Sequence, residues 1–161
     1  MIDSHPKLTD GEIVRIVQHY YDSVDSLNAD RIAGTYLPAP TTALQFNADE
    51  PIVTVDAIRA FSAGFVGAVA SIRHTRIDIW ARPLMGDVVP VDLPAARNEA
   101  TLTVASTALP TFTIGEGAAA KRVALPATSV FTIDVASGKF VSVHNMFDIA
   151  KVYAAVGGAH G

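Results

Sequence analysis

One histidine of this chain lies where an imidazole could move protons. His74 falls in the extended segment SIRHTRIDIW, and strand alternation puts its side chain on the face of Ile72, which we expect to be the concave face of a sheet. Imidazole gains and loses a proton near neutral pH, so it can act as a general base or a general acid. The alternative is a structural histidine bonded to a backbone carbonyl, and the sequence leaves both open.

Asp25 is the carboxylate that could orient this histidine. It lies on the flank of the first predicted helix, where a charged residue is also typical of a solvated helix face. His74, Asp25 and Tyr20 of the same helix are therefore candidate catalytic residues by chemical type. Tyr20 has an apolar ring and a phenolic tip that needs a partner when buried, either a substrate oxygen or another core residue. Tyr21 is expected at the surface or in an interface.

Two uncharged polar residues fall on otherwise apolar strand faces in the segment 126–148. This segment reads as two strands around a short loop at 134–138, with Ser129 on the first strand and Asn145 on the second. Either the two side chains bond each other and hold the strand register, or they bind a ligand oxygen. Asn47 leaves a similar choice between the pocket and a turn residue that satisfies its own backbone.

These residues need a scaffold of helices followed by strands. Thr9 and Glu12 fit a capping box that starts a first helix, a second short helix follows Asn28 to about Tyr36, and a third begins near Thr54. A short strand is expected at 42–47, and sheet is expected after residue 70, interrupted by an irregular connection at 81–98.

The predicted class is α+β, with the N-terminal helices folded on a curved antiparallel sheet to give a cone. We expect one domain over residues 1–161 with its core at about 10–153. Arg76 and Asp78 share the strand parity of His74, which does not suit an apolar cavity, so the strand should bulge soon after His74. The cone would either fill with side chains or hold a small ligand.

Composition narrows the function classes. The net charge of −4 and the absence of a lysine or arginine cluster argue against nucleic acid and anionic membranes as partners. Hydrophobic residues make up 50% and charged residues 17%, which is typical of a well-packed domain that hides an apolar face in an oligomer or around a ligand. There is no cysteine, and the histidines do not have the spacing of metal ligands. There is also no glycine loop of the kind that binds phosphate, so neither a metal nor a nucleotide cofactor is expected. The N-terminal segment lacks the apolar core of a signal peptide, which predicts a cytoplasmic protein. Low charge and the outer sheet face suggest a homodimer.

The order of elements and several motifs resemble the SnoaL-like branch of the nuclear-transport-factor-2-like superfamily. The motifs are VQHY of the capped first helix, VDAIRAF, the run from Arg73 and His74 into a strand, and the closing GKFVSVHNMFDIAKVY. The resemblance implies the cone-shaped α+β fold. The superfamily includes polyketide cyclases, ketosteroid isomerase, limonene epoxide hydrolase, scytalone dehydratase and members without known activity, so it is specific for fold and weak for reaction.

Carried over residue by residue, the resemblance to scytalone dehydratase keeps the most chemistry. The pattern YYDSVDSLNADRI places Asp25 on the active-site aspartate of that enzyme, and His74 resembles its catalytic histidine. Its two tyrosines, however, fall on Val24 and Phe46. This chain therefore keeps one imidazole and one carboxylate of that site, but not the two tyrosines that accompany them there.

The catalytic carboxylates of the other relatives fall on uncharged residues in this chain. Tyr20 matches the tyrosine that polarises the ketone in ketosteroid isomerase, but the general-base aspartate falls on Phe46 or Asn47 and the acidic donor falls on Ser129. Asn47 resembles the helper asparagine of limonene epoxide hydrolase, while one of its carboxylates falls on Asn145. Neutral hydroxyls and amides can hold a water molecule but cannot deprotonate it.

The resemblance predicts a cofactor-independent isomerase, cyclase or dehydratase that acts on a hydrophobic, oxygenated small molecule such as a polyketide or terpenoid intermediate. The alternative is a non-catalytic binder or a dimeric interaction module of the same fold. Polar contacts to the substrate are expected from Asn47, Ser129 and Asn145. Apolar walls are expected from Phe46, Phe61, Phe65, Leu102, Val104, Phe131 and Phe147.

Overall fold

A computed structural model describes residues 8–80 and 101–157 of the chain. Four α-helices and one short 3-10 helix, Gly117–Ala119, lie in these ranges, and the first two α-helices begin at the predicted caps. α1 spans Asp10–Asp25, with both hydrogen bonds of the Thr9 and Glu12 capping box in place. α2 spans Ala29–Gly34 behind the Asn28 cap and ends two residues before the predicted Tyr36. The predicted connection at 81–98 lies outside the described residues.

The other two helices flank the sheet. α3 spans Val55–Ala68 behind the Thr54 cap, as predicted, whereas α4 at Ile149–Gly157 was not predicted, because its residues were read as the end of a strand region. Seven strands lie in the described ranges, and they run β1 Ala43–Phe46, β2 Ile52–Val53, β3 Ser71–Trp80, β4 Thr101–Ile114, β5 Lys121–Ala124, β6 Ala127–Asp134 and β7 Lys139–Met146.

The strands form one curved sheet in the order β2-β1-β7-β6-β4-β3, with β5 paired to β4. All strand pairs are antiparallel except β1 and β7, which run parallel, so the sheet is mixed rather than wholly antiparallel. With the helices folded against this half-barrel, the predicted α+β class is confirmed. The β6–β7 hairpin turns at Gly138, whose φ of 66° favours glycine, and whose N–H donates to the Asp134 carbonyl at 2.8 Å.

A bulge interrupts β3 just after His74, as its charged residues predicted. The register with β4 shifts between Thr75 and Asp78, and Arg76 adopts a φ of 50°. Beyond the bulge Ile77 and Ile79 pack against the core, while Arg76 and Asp78 are exposed. The bulge therefore keeps the charged residues of β3 out of the interior that His74 faces.

Two apolar clusters fill the inside of the sheet. The first joins α1 to β4, β6 and β7 through residues such as Val17, Val104 and Phe131. The second joins α4 to β4 through Phe112 and Val152. Within residues 8–80 and 101–157 the helices are all too short or too polar to cross a membrane.

Candidate active site

A cavity of about 60 Å³ lies on the concave side of the sheet, beneath α1 and α3. Most of its wall is apolar, and four of the predicted wall residues line it, namely Phe46, Phe61, Phe65 and Phe147. Neighbouring rings in this wall lie 5.3 to 6.5 Å apart, so the aromatic side is densely packed. Six polar side chains also reach the wall: Tyr20, Tyr21, Ser62, His74, Ser129 and Asn145.

Asp25 and His74 are hydrogen-bonded to each other on one side of the cavity. Asp25 is the last residue of α1, and its carboxylate accepts the backbone N–H of His74 at 2.9 Å and meets the ring Nδ1 at 2.5 Å. β3 is an edge strand whose pairing partner is β4, so the His74 N–H that points away from β4 is free for this contact. Asp25 thus holds both the main chain and the ring of His74.

The pair leaves one ring nitrogen of His74 for the cavity. The His74 side chain is 9% exposed and Asp25 is 27% exposed, so the carboxylate keeps contact with solvent while the imidazole is largely enclosed. Nδ1 is occupied by Asp25, and no hydrogen bond to Nε2 is found among the described residues. Nε2 is therefore the ring nitrogen of this cavity-lining histidine that has no protein partner among the described residues.

Tyr21 packs against this histidine, contrary to the expectation that it lies at the surface. It is 2% exposed, and its ring centroid is 4.7 Å from that of His74. Its hydroxyl is hydrogen-bonded to Ser106 Oγ, and burial raises the pKa of Tyr21, so the phenol stays protonated. Tyr21 was misplaced because Tyr20 already filled the apolar stripe, whereas α1 buries both tyrosines against the curved sheet.

A second set of polar side chains lies on two neighbouring strands in the middle of the sheet. Ser129 and Asn145 are direct cross-strand partners, and Ser129 Oγ donates to Asn145 Oδ1 at 2.7 Å. Asn145 Nδ2 donates to the Tyr20 hydroxyl at 3.3 Å, and burial raises the pKa of Tyr20. Ser129 and Asn145 thus bond each other, as the first alternative drawn from the sequence has it, and they also line the cavity.

Asn47 does not reach the cavity, which corrects its prediction as a substrate-binding residue. It has a φ of 48° in the turn after β1, and its side chain bonds both polar groups of the Phe147 backbone, at 2.8 and 3.1 Å. His144 Nε2 lies 2.6 Å from the Asn47 carbonyl. Asn47 therefore clamps the end of β7 to β1, in line with the turn alternative.

Three predicted wall residues also lie away from the cavity. Val104 and Phe131 are fully buried in the first apolar cluster, and Leu102 packs against that cluster. They face the interior as predicted, but α1 covers this part of the sheet, and the side chains of Tyr20 and Tyr21 fill the space. Phe131 supports the tyrosines, with its ring centroid 5.4 Å from that of Tyr20.

Ser62 is a cavity residue that the sequence reading did not single out. It is 4% exposed and lies one turn after the buried Ile58 on α3, and no hydrogen bond to its hydroxyl is found among the described residues. The pattern that pointed to Ser129, a hydroxyl on an otherwise apolar face, could also have pointed to Ser62, which lies on the apolar face of α3 at helical spacing. No group of three or more His, Asp or Glu side chains suited to a metal ion occurs in the described ranges.

No protein-family model matches this chain, and no curated protein matches its sequence. Solved structures do match. A protein from Jannaschia sp. assigned as a SnoaL-like polyketide cyclase superposes with a TM-score of 0.63 at 15% identity, over 95% of this chain and 96% of that one. A protein from Novosphingobium aromaticivorans assigned as a scytalone dehydratase gives a TM-score of 0.62 at 15% identity, over 85% and 82%.

An epoxide hydrolase of the limonene type from M. tuberculosis is also similar, with a TM-score of 0.56 at 14% identity, over 91% of this chain and 90% of that one. At these identities the likeness establishes the fold, which is that of the nuclear-transport-factor-2-like superfamily. This confirms the fold predicted by the resemblance. Cyclases, dehydratases and epoxide hydrolases share this architecture, so the reaction has to be argued from the side chains in the cavity.

Proposed function

We propose that this chain is an enzyme that removes a proton from the carbon next to a carbonyl group, as the first step of an isomerisation, cyclisation or dehydration. The substrate would be a hydrophobic, oxygenated small molecule such as a polyketide or terpenoid intermediate, and the reaction would need no metal or nucleotide. The observation that carries the proposal is the Asp25–His74 pair on the cavity wall, with Nδ1 held by the carboxylate.

His74 is the base in this proposal. The Asp25 carboxylate accepts a hydrogen bond from Nδ1–H, which places the lone pair of the neutral ring on Nε2, the nitrogen left for the cavity. Nε2 takes the proton from carbon, the C–H electron pair forms the new carbon–carbon double bond, and the carbonyl π electrons move to oxygen. Asp25 stabilises the imidazolium that results.

The enolate oxygen then needs hydrogen-bond donors. Tyr20 accepts from Asn145, so its own O–H proton can go either to the enolate oxygen or to the neighbouring Tyr36 hydroxyl, and Asn145 has a second N–H beyond the one it gives to Tyr20. Tyr21 is a third candidate, and the raised pKa of both tyrosines keeps them neutral donors. Donors fixed before the reaction in an enclosed site stabilise developing charge most effectively.

The imidazolium completes any of the three reactions. In an isomerisation it returns the proton to a different carbon, and in a dehydration it gives the proton to a hydroxyl that leaves as water. In a cyclisation the enolate carbon attacks a second carbonyl and the proton goes to the new alkoxide. One base is sufficient in each case, which suits a cavity whose other polar lining residues are uncharged tyrosine, serine and asparagine.

Isotope exchange tests the proposal without knowledge of the natural substrate. Ketones of increasing size, from acetone to 2-tetralone, are incubated with the protein in D₂O, and deuterium uptake next to the carbonyl is followed by NMR. We expect catalysed exchange that falls by about 10²- to 10⁴-fold in His74→Gln, the range that a positioned base supplies. Equal exchange by wild type and His74→Gln would overturn the assignment of His74.

The cavity size makes the range of ketones necessary. A volume of about 60 Å³ holds a few water molecules, whereas a dry cavity of roughly 150 Å³ is needed for benzene. Larger ketones require the aromatic wall to move aside. Binding of ketones without any exchange would support the competing function, a non-catalytic binder of the same fold.

A further inference from the structure

A second concave site lies on the outer side of α3. It is a groove of about 280 Å³ between α3 and α4, larger than the cavity itself. Its floor includes the buried Val152, and its rim includes Tyr153, which is 51% exposed. The lining residues come from α3, from Val69 just after it and from α4, and none of them is charged. The groove therefore suits an apolar group.

The groove and the cavity share two wall residues. Phe61 and Phe65 line both spaces, and their rings lie nearly parallel with centroids 6.5 Å apart. Both side chains are half-buried and one turn apart on α3. What separates the two spaces at this point is therefore a pair of side chains, which can change rotamer far more easily than a backbone can shift.

α3 has no side chain at the position between these two phenylalanines that faces the groove, because residue 64 is a glycine. Gly64 lies between the two phenylalanines in sequence and lines the groove, and a Cβ at that position would have no neighbour within 4 Å. Open space over an exposed helical glycine leaves room for a ligand. The cavity alone is too small for a polyketide-sized molecule, whereas the cavity and groove together offer a path for an extended one.

We propose that the α3–α4 groove binds the apolar tail of a substrate whose carbonyl head reacts at His74. The tail would pass between Phe61 and Phe65, so the substrate class is an extended, amphipathic ketone with a linear aliphatic or narrow aromatic tail. This inference rests on the proposed function for the position of the head. It adds the expected length and polarity of the rest of the substrate.

A series of 2-alkanones from butanone to dodecanone tests the groove by binding, measured with ligand-observed NMR. Once the chain outgrows the cavity, each added methylene should tighten binding by about fourfold, the value for transfer of one CH₂ from water. Gly64→Leu fills the groove and should abolish this gain for long chains while leaving butanone unaffected. Ala60→Leu, on the same groove, should reduce it as well.

Gly67→Leu is the matched control, because Gly67 is an exposed glycine of α3 with open space around it that does not line the groove. It should bind the series as wild type does, and circular dichroism of all variants checks that α3 is intact. An absence of chain-length gain in wild type, including an absence of any binding, or a full gain in Gly64→Leu, would overturn the inference. His74→Gln should keep the gain and lose isotope exchange, and a wild type that shows the gain without exchange would overturn the catalytic proposal alone.

Discussion

The cavity has two polar regions that are built in opposite ways. The acid–base pair of Asp25 and His74 joins the end of α1 to an edge strand, and its carboxylate remains 27% exposed. The neutral network of Ser129, Asn145 and Tyr20 spans two central strands, and each member is at most 8% exposed. Burying an ionised carboxylate without a charged partner costs far more than burying an amide or a hydroxyl that is hydrogen-bonded. Charge therefore lies where solvent and a partner can stabilise it.

This difference assigns different work to the two regions. A carboxylate that accepts a hydrogen bond from a ring nitrogen can hold an imidazole in one tautomer, whereas the neutral network has fixed donors and no group that titrates near neutral pH. We expect substitutions in the pair to change rates with little loss of stability. Substitutions in the network should do the reverse.

The largest effect is expected at Asp25. In Asp25→Asn the amide N–H₂ faces Nδ1 and favours the ring tautomer with its proton on Nε2, which removes the base. Ketone exchange should fall by most of the ~10²- to 10⁴-fold that a positioned base supplies. Asp22→Asn is the control, because Asp22 is exposed on the same helix and bonds Gln18 at 2.9 Å. Exchange by Asp25→Asn within twofold of wild type would mean that the carboxylate does not position the base.

The next effect is on stability and belongs to the neutral network. Ser129→Ala leaves the buried Asn145 Oδ1 without its donor, so the free energy of unfolding should drop by about 1–3 kcal/mol. Urea denaturation measures this. Ser142→Ala on the outer face of β7 should change it by less than about 0.5 kcal/mol, as surface substitutions do. If the two variants were equally stable, the network would not hold the strands.

Alkaline pH should weaken the fold through three buried phenols, of which one, Tyr20, belongs to the network. Burial raises the pKa of Tyr20, Tyr21 and Tyr36 above the ordinary value of about 10. Their contribution to stability is full below that value and is lost as pH rises past it, because the unfolded chain releases these protons first. The free energy of unfolding, measured in urea between pH 8 and pH 11, should therefore fall above about pH 10.

Two variants separate the phenols in the same titration. Tyr20→Phe should make the decline shallower, since one of the raised groups is gone. Tyr153→Phe should change it less, because that side chain is 51% exposed and its burial is slight. A decline that Tyr20→Phe leaves unchanged would place the alkaline sensitivity elsewhere.

The smallest effect is expected at Ser62, a polar residue that belongs to neither region. Ser62 is 4% exposed, no hydrogen bond to its hydroxyl is found among the described residues, and alanine is a better helix former, so Ser62→Ala should raise stability by up to about 1 kcal/mol. Ser23→Ala is the matched control. It should lower stability, because the buried Ser23 hydroxyl donates to the His19 carbonyl at 2.7 Å. Equal destabilisation of both variants would show that Ser62 has a partner.

Much of this arrangement followed from local patterns. The α1 cap, the hairpin at 134–138, the shared face of Ser129 and Asn145 and the bulge after His74 each depend on neighbouring residues, which is what spacing and composition report. The parallel pairing of β1 with β7 was not predicted, since it joins segments about a hundred residues apart. α4 was missed because its isoleucine, valines and tyrosine are typical of strands.

The site was predicted less completely than the fold. His74 and Ser129 reached the cavity because strand parity fixes the side of a sheet. Tyr21 and Asn47 were misplaced because their surroundings depend on long-range contacts, those of α1 with the sheet for Tyr21 and those of the end of β1 with the end of β7 for Asn47. No local pattern encodes such contacts.

The tautomer of His74 tests the central claim most directly. Nitrogen-15 NMR of the five histidines, with the His74 signals assigned through His74→Gln, distinguishes a protonated ring nitrogen from one with a free lone pair. We predict that neutral His74 carries its proton on Nδ1, facing Asp25, with Nε2 unprotonated, and that Asp25→Asn reverses this. A wild-type ring with its proton on Nε2, or one insensitive to Asp25→Asn, would contradict the account.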